Sequence, residues 1–217
     1  SAGRLEGAIA LFEQVLTDRV RVLGEDHPDT LTSRNNLAGA YRETGRITEA
    51  IALYEQAALW ASRPFADGRL PESLWDLYCG VGGFALACAR AGFPRVTGVE
   101  VSSGAISSAI SAARHAGLSR SAASFIADDA TAWARAQSAA DVPDVIVVNP
   151  PRRGIGADLA AYLNQCDAPR VIYSSCNPVT LAKDLAAMPS LRPIEGRLFD
   201  MFPHTSHAEV ALLLERA

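Results

Sequence analysis

The stretch "LWDLYCGVGGFALACARAGFPRVTGVEV" (residues 74–101) decides the fold. It runs from a short apolar segment through a glycine-rich turn into a helical pattern, and then into a second apolar segment that ends near Glu100. A strand, a helix and a strand in this order predict two parallel strands joined by a crossover helix. Such sheets bind ligands at the carboxyl ends of their strands, so functional residues are expected directly after the apolar segments.

The alternation continues to the end of the chain. Further strands are predicted at residues 123–128, 144–151, 169–175, 194–202 and 208–216. Helical patterns occupy residues 83–92, 103–117 and 179–188. The last two apolar segments have no helix between them, so they are expected to pair antiparallel at one edge. The prediction is an α/β fold with a doubly wound, mostly parallel sheet and an antiparallel edge strand.

An internal repeat organises the N-terminus. The segment "AGRLEGAIALFEQ" (2–14) recurs as "TGRITEAIALYEQ" (44–56). The periodicity predicts three helices, with Gly45 separating the last two. These predicted helices are residues 3–24, 29–44 and 46–62. A stack of this kind usually needs about three units to bury a continuous core. The segment is therefore expected to contact the α/β part through residues 46–62, with its first helix more mobile.

A Pro/Gly-rich stretch, "SRPFADGRLPES" (62–73), separates the two patterns. We therefore predict a small all-α helical domain at residues 1–62 and an α/β domain at residues 63–217. The helical domain has two interpretations. It is either a peptide-binding groove or a helical cap without a ligand.

Composition limits the classes of function. The chain has 217 residues, of which 49% are apolar, and no apolar run reaches the roughly 18 residues of a membrane helix. Its four cysteines lack CxxC spacing, which favours a reducing cytoplasm and argues against a zinc or iron–sulfur site made from this chain alone. The net charge is −4, so RNA binding would depend on a local basic patch. We expect a cytoplasmic protein without a membrane partner.

The glycine-rich turn favours a particular class of cofactor. Its GxGG spacing is neither the dinucleotide fingerprint nor the phosphate loop that ends in Gly-Lys-Ser/Thr. About 20 residues later, Glu100 ends a predicted strand, where a carboxylate accepts hydrogen bonds from a ribose diol. An adenosine-type cofactor without a demanding phosphate site suggests S-adenosylmethionine.

Two further turns follow predicted strands. In "NPPRRG" (149–154) the prolines extend the backbone, and the Asn149 side chain can point into the cleft. Amino-methylating enzymes usually have an aromatic residue where this chain has Arg152, which favours a different target atom. In "IYSSCNP" (172–178) Cys176 ends a strand and is either a small buried hydrophobe or a nucleophile.

Four motifs together carry a specific resemblance, and they are "DLYCGVGGF", "NPPRRGIG", "YSSCNPVTLAKD" and "LFDMFPHTSHAEV". In this order they resemble the bacterial RNA 5-methyluridine methyltransferases, and in particular the 23S rRNA uracil-C5 branch. The resemblance covers residues 57–217 and implies a Rossmann-like class I methyltransferase sheet. Residues 2–56 resemble tetratricopeptide repeats of the kinesin-light-chain kind.

The resemblance implies roles for individual residues. It makes Cys176 the nucleophile that adds to uracil C6 and Glu209 the base that removes the C5 proton. The residues expected to bind S-adenosylmethionine are Asp76, Tyr78, Gly80, Gly82, Glu100, Asp129 and Asn149. No residue is expected to bind a metal. His204 and His207 either adjust the pKa of a neighbouring group or bind phosphate, or they are ordinary surface histidines. Cys79 and Cys88 are expected to be packing residues.

The chain also departs from the full-length relatives. They carry an RNA-holding domain, four cysteines for an iron–sulfur cluster, and a Phe-Gln-rich stretch whose glutamine helps form the cofactor site. The repeat-like segment takes that place, and the two resemblances merge at "LYEQAALWAS" (53–62). The chain is therefore expected either to methylate 23S rRNA or to serve as a helical protein-interaction module on an inactive methyltransferase domain. Cofactor binding together with methyl transfer would distinguish the two.

Overall fold

The computed structural model describes residues 2–25, 27–200 and 208–216. Its contacts separate two compact units, one holding residues up to Ala52 and one holding Leu53–Phe199 and the final strand. The helices are α1 (Ala2–Leu23), α2 (Pro28–Ala61), α3 (Gly83–Arg90), α4 (Ser103–His115), α5 (Ala130–Ala136), α6 (Gly156–Gln165) and α7 (Pro178–Ala186). The strands are β1 (Ser73–Leu77), β2 (Arg95–Glu100), β3 (Ala123–Ala127), β4 (Val145–Val148), β5 (Arg170–Ser175), β6 (Leu191–Phe199) and β7 (Glu209–Arg216).

The N-terminal unit has two helices where the sequence predicts three. The prediction that Gly45 separates two helices is wrong, because α2 continues through it for 34 residues. One interior glycine costs a helix only about 1 kcal/mol relative to alanine, and no proline follows it before residue 64. The first turn of α2 is tied to the end of α1, since the buried Thr30 donates its hydroxyl to the carbonyl of Gly24 over 2.9 Å.

The predicted α/β fold is confirmed. The sheet has the strand order β3-β2-β1-β4-β5-β7-β6. The first five strands in this order are parallel, and β7 pairs antiparallel with both β5 and β6. The two closing strands are thus the expected antiparallel pair, with β6 at the edge. The chain runs from β1 through β2 to β3 and then crosses back to β4 on the other side of β1. The switch in strand order therefore lies beside the glycine-rich turn that follows β1.

The last turns of α2 belong to the larger unit. Arg170 is 1% exposed and donates its Nη1 to the carbonyls of Trp60, Ala61 and Arg63, over 3.0, 3.3 and 2.6 Å. These carbonyls lie at a helix end, where no intrahelical donor reaches them. The Nη2 of the same guanidinium pairs with Glu215 at 2.7 Å. The expected contact between residues 46–62 and the α/β part is therefore present from residue 53 onward, while the boundary after residue 62 stays a prediction.

The core lies between the sheet and its helices. Strands β4 and β5 are buried along their whole length, so they read as apolar runs without alternation. Within the described ranges, no helix is long and apolar enough to cross a membrane.

Candidate functional site

One edge of the sheet collects the predicted site residues. Tyr78, Glu100, Asn149 and Cys176 each lie at or directly after the carboxyl end of a parallel strand. Because β7 is antiparallel to these strands, its first residue, Glu209, lies at the same edge. The topology therefore brings the motifs onto one rim, although they are up to 131 residues apart in the sequence (78 to 209).

The glycine-rich turn is held in left-handed backbone conformations. Tyr78 has a φ of 66° although it is not a glycine, and Gly82, which caps α3, has a φ of 89°. A Cβ on Gly82 would also lie 3.0 Å from the ring of Phe125, so a larger residue would be strained in its backbone and would crowd this ring. The Gly82 amide donates to the carbonyl of Cys79 over 2.8 Å, which closes the turn.

Asp76 lies beneath this turn and is fully buried. Its Oδ2 accepts a hydrogen bond from the Ala85 amide at 2.9 Å, but its Oδ1 finds no partner in the part of the chain that the structure describes. Burial raises the pKa of Asp76 to about 7, and the charge of Glu100 adds to the rise, while the Ala85 hydrogen bond opposes it. A buried carboxylate oxygen without a partner suits a cationic group of a ligand.

Glu100 has a structural role that its position in the sequence did not reveal. Its Oε2 accepts from the Gly80 amide at 3.3 Å, and its Oε1 accepts from the Ser102 amide at 3.0 Å. The carboxylate thus braces the glycine-rich turn while its side chain stays half-buried. Each carboxylate oxygen has a second acceptor site, so a ribose diol remains compatible with these contacts.

Asp129 is engaged in a helix cap. Its Oδ1 accepts from the Ala132 amide at 2.8 Å at the start of α5, and the residue is exposed. In the first turn of the same helix, Thr131 lies 3.4 Å from the hydroxyl of Tyr78, between their side-chain oxygens. The cofactor role of Asp129 stays a prediction, beside a capping role that the structure shows.

The turns after β4 and β5 are tied together. The Nδ2 of Asn177 donates to the carbonyl of Arg152 at 3.0 Å, and the Thr180 hydroxyl donates to the same carbonyl at 3.2 Å. Behind them, the buried Asp184 accepts from the Ile155 amide at 3.0 Å and from the Tyr173 hydroxyl at 2.6 Å. The turn that carries Asn149 and the turn that carries Cys176 are therefore one connected structure.

Strand pairing brings Cys176 and Glu209 to the same place. The β5–β7 register ends at the pair Ser175–Val210, and Cys176 and Glu209 are the next residues of the chain at that end of the two strands. Glu209 is 6% exposed and accepts a hydrogen bond from the Ser174 hydroxyl. Burial raises the pKa of Glu209, while the bond from Ser174 opposes this rise. The half-buried Cys176 and the carboxyl group of Glu209 therefore lie at the same end of this strand pair.

The other cysteines have different surroundings. Cys79 and Cys88 are buried, and burial raises the pKa of both thiols, so they remain protonated and serve as packing groups. Cys166 follows α6 and is half-buried, and burial raises its thiol pKa as well. His204 and His207 lie outside the described residues.

Sequence reasoning missed Tyr54. This side chain leaves α2 and sets its ring edge-on to Phe84, with ring centroids 4.9 Å apart. Burial raises the pKa of the Tyr54 phenol, and the charges of Asp76 and Glu209 raise it further. Residue 54 sits in the repeat-like "AIALYEQ" segment, so no local signal connected it with the glycine-rich turn.

Comparisons with known proteins match these features. The model of the tRNA (uracil-5-)-methyltransferase family matches residues 136–217, and that of the RNA cap guanine-N2 methyltransferase family matches residues 72–165. The tetratricopeptide-repeat model matches residues 1–58.

Two curated relatives carry the same name. The 23S rRNA (uracil(747)-C(5))-methyltransferase RlmC of Shewanella amazonensis is 50% identical over 76% of this chain and 41% of its own length. The enzyme of that name from Halothiobacillus neapolitanus is 40% identical over 94% of this chain and 51% of its own length. The chain thus spans about half the length, or less, of the curated relatives it matches.

Solved structures agree with the fold. The tRNA (uracil-54, C5)-methyltransferase of Pyrococcus abyssi, determined in complex with S-adenosyl-L-homocysteine, superposes with a TM-score of 0.64 at 28% identity. That match covers 76% of this chain and 38% of the solved one. TrmN from Thermus thermophilus, with a TM-score of 0.55 at 23% identity over 75% of this chain and 48% of its own, shares the fold. The predicted resemblance is confirmed, since the α/β part of the chain is similar to the 23S rRNA uracil-C5 methyltransferases and residues 1–58 match the tetratricopeptide-repeat model.

Proposed function

We propose that this chain is an S-adenosylmethionine-dependent methyltransferase acting on C5 of a uridine in 23S rRNA. The observation that carries the proposal is the position of Cys176 and Glu209 at the same end of the β5–β7 pair, on the edge of the sheet that also holds the glycine-rich turn. A thiol and a carboxyl group at this edge are the two groups that this reaction requires. The relatives named above support the same class of substrate.

The rim contains groups that suit S-adenosylmethionine. The Oδ1 of Asp76, which has no partner among the described residues, suits the α-ammonium group. Glu100 suits the ribose diol, and the glycine-rich turn lets the backbone approach the ligand. Tyr78, Gly80, Gly82, Asp129 and Asn149 complete the proposed binding set. When bound, the cofactor supplies an electrophilic methyl group on its sulfonium.

Cys176 and Glu209 divide the remaining chemistry. The Cys176 thiolate adds to uracil C6, and the electron pair of the C5–C6 double bond moves toward C5, which becomes nucleophilic. After C5 is methylated, the Glu209 carboxylate takes the C5 proton. The C–H electron pair re-forms the double bond, the C6–S bond breaks, and the thiolate is released. Glu209 must be ionised for this step, and the hydrogen bond from Ser174 stabilises that form.

RNA contacts are proposed for the turn after β4. Arg152 and Arg153 are exposed, and the Arg152 carbonyl is bonded to the turn of the nucleophile. Because the net charge of the chain is −4, RNA phosphates would be attracted by local basic groups of this kind.

The N-terminal helices are proposed to bind a protein partner. They match the tetratricopeptide-repeat model and expose apolar side chains, among them Leu11 at 60% and Val22 at 71%. An rRNA-modifying function also favours the cytoplasm. The second candidate function is a non-catalytic interaction module. The interaction would be made by residues 1–58, which the tetratricopeptide-repeat model matches.

A 5-fluorouridine-substituted 23S rRNA fragment tests the catalytic proposal. Fluorine at C5 cannot be removed as a proton, so the covalent protein–RNA species should persist in denaturing gels when S-adenosylmethionine is present. Cys176→Ser should abolish this species, whereas Cys166→Ser should retain it. If the wild-type chain forms no such species, or if Cys176→Ser still forms it, the assigned nucleophile is wrong.

A further inference from the structure

Tyr54 lies on the glycine-rich turn although it belongs to α2. A Cβ placed on Gly83 would collide with the tip of the Tyr54 ring and lie 2.7 Å from its hydroxyl oxygen. The absence of a side chain at Gly83 therefore makes the space that the phenol occupies. Gly83 is also the first residue of α3.

The helix segment that carries Tyr54 is firmly held in the larger unit. Its neighbours Leu53 and Ala57 are 2% and 0% exposed. One turn further on, the indole of Trp60 donates to Glu195 at 2.7 Å, and Gln56 accepts from Arg197 at 2.7 Å. Tyr54 is thus presented by a rigid element, which is what a precise ligand contact requires.

The groups around the phenol match the amino-acid end of S-adenosylmethionine. The first amides of a helix have no intrahelical acceptor, so the start of α3 favours a carboxylate. Close by, the fully buried Asp76 has an unpartnered Oδ1 in the described part of the chain, which favours an ammonium group. The Tyr54 hydroxyl stands next to Gly83, where it can donate a third hydrogen bond.

We propose that Tyr54 is a further cofactor-binding residue, whose hydroxyl donates to the α-carboxylate of S-adenosylmethionine over the start of α3. This inference rests on the proposed function. A phenol surrounded by carboxylates stays protonated, because burial and the charges of Asp76 and Glu209 raise its pKa, so it acts as a donor at neutral pH. In this role the repeat-like helix completes a site that the glycine-rich turn and β1 begin.

Calorimetric titration with two ligands tests the inference on the whole chain. S-adenosylhomocysteine carries the amino-acid end, whereas 5′-methylthioadenosine keeps the nucleoside and thioether but lacks that end. Tyr54→Phe should weaken binding of S-adenosylhomocysteine by about tenfold, as expected for one hydrogen bond to a charged group. The same variant should bind 5′-methylthioadenosine as the wild type does. Tyr162→Phe is the matched control, since it removes a buried hydroxyl on α6 and should change neither affinity.

The outcomes separate this inference from the proposed function. If the wild type binds S-adenosylhomocysteine and Tyr54→Phe binds it equally well, the role of Tyr54 is wrong while the proposed function stands. Equal weakening of both ligands would show that the ring only shapes the turn, which also overturns the inference. If the wild type binds neither ligand, the proposed cofactor site is wrong and the inference falls with it.

Discussion

The Asn177 side chain donates a hydrogen bond to the carbonyl of Arg152, 25 residues earlier in the chain, at 3.0 Å. Its other terminal atom, Oδ1, accepts from the Val179 amide at 3.1 Å and caps α7. One amide side chain thus joins the turn of the proposed nucleophile to the turn of Asn149. The relationship explains why an amide, and not a carboxylate, follows Cys176.

Asn177→Asp should therefore slow covalent capture of 5-fluorouridine RNA without removing the nucleophile. Aspartate keeps the helix cap but places a carboxylate against the carbonyl of Arg152 instead of a donor. Loss of an exposed hydrogen bond of this kind costs about 0.5–1.5 kcal/mol. The measurements are the rate of adduct formation and the urea midpoint of unfolding. Wild-type values for both would show that the bridge between the two turns contributes nothing.

Glu209→Gln should trap the adduct on ordinary RNA. The amide cannot take the C5 proton, so methylated RNA stays attached to Cys176 and accumulates in denaturing gels. Release of free methylated RNA at the wild-type rate would assign the base to another group.

The wild type should also accumulate the covalent adduct with methylated RNA as the pH falls. Burial raises the pKa of Glu209, so a growing fraction of the carboxyl group is protonated and inactive as the pH is lowered through that raised value. The attached fraction of methylated RNA should rise with acidity in the wild type and stay constant in Glu209→Gln. The same pH dependence in both proteins would contradict the assignment.

Asp76 should make the protein less stable as the pH rises toward neutrality. Its pKa is raised from 3.8 to about 7 in the fold, so between these values the folded state binds a proton that the unfolded chain has lost. The stability that this proton contributes is full below the unfolded pKa and is lost as the pH rises through the folded one. Between these two pKa values, the free energy of unfolding should fall by about 1.4 kcal/mol per pH unit.

Asp76→Asn removes this slope and is the comparison that isolates it. Urea unfolding between about pH 5 and pH 7 should show the free energy of unfolding of the wild type falling relative to that of the variant. A difference that stays constant across this range would show that Asp76 is ionised throughout.

Arg170→Met should destabilise the larger unit. The guanidinium bonds the carbonyls of Trp60, Ala61 and Arg63 and pairs with the partly exposed Glu215. Without it, the Trp60 carbonyl keeps the Arg63 amide as a donor at 3.3 Å, while the other two carbonyls lose this bond. Leaving a buried acceptor without a donor costs about 1–3 kcal/mol. Hydrogen exchange should become faster at the amides around residues 60–63. Arg170→Lys keeps the charge but not the planar fork, so it should recover only part of the loss. Unfolding of Arg170→Met at the wild-type urea midpoint would contradict this role.

Local pattern was enough to predict most of the α/β part. Short apolar segments and the glycine-rich turn gave the order of strands and helices, because burial on a sheet imposes its periodicity on neighbouring residues. The rule that parallel strands end at one edge then placed Tyr78, Glu100, Asn149 and Cys176 on the same rim. The helix break predicted at Gly45 is wrong because the low helix propensity of one glycine is a weak effect, which the surrounding helix overrides.

The sequence by itself determined the fold class, the edge of the sheet that carries the site, and the resemblance that its motifs share with uracil-C5 methyltransferases. Only the tertiary structure decided which distant groups meet: Ser174 with Glu209, Arg170 with the end of α2, and Tyr54 with Gly83. Periodicity reports whether a residue is buried, but it carries no information about the partner that buries it. Strand register and helix docking choose that partner, and here they bring a tyrosine from a repeat-like helix to the start of α3.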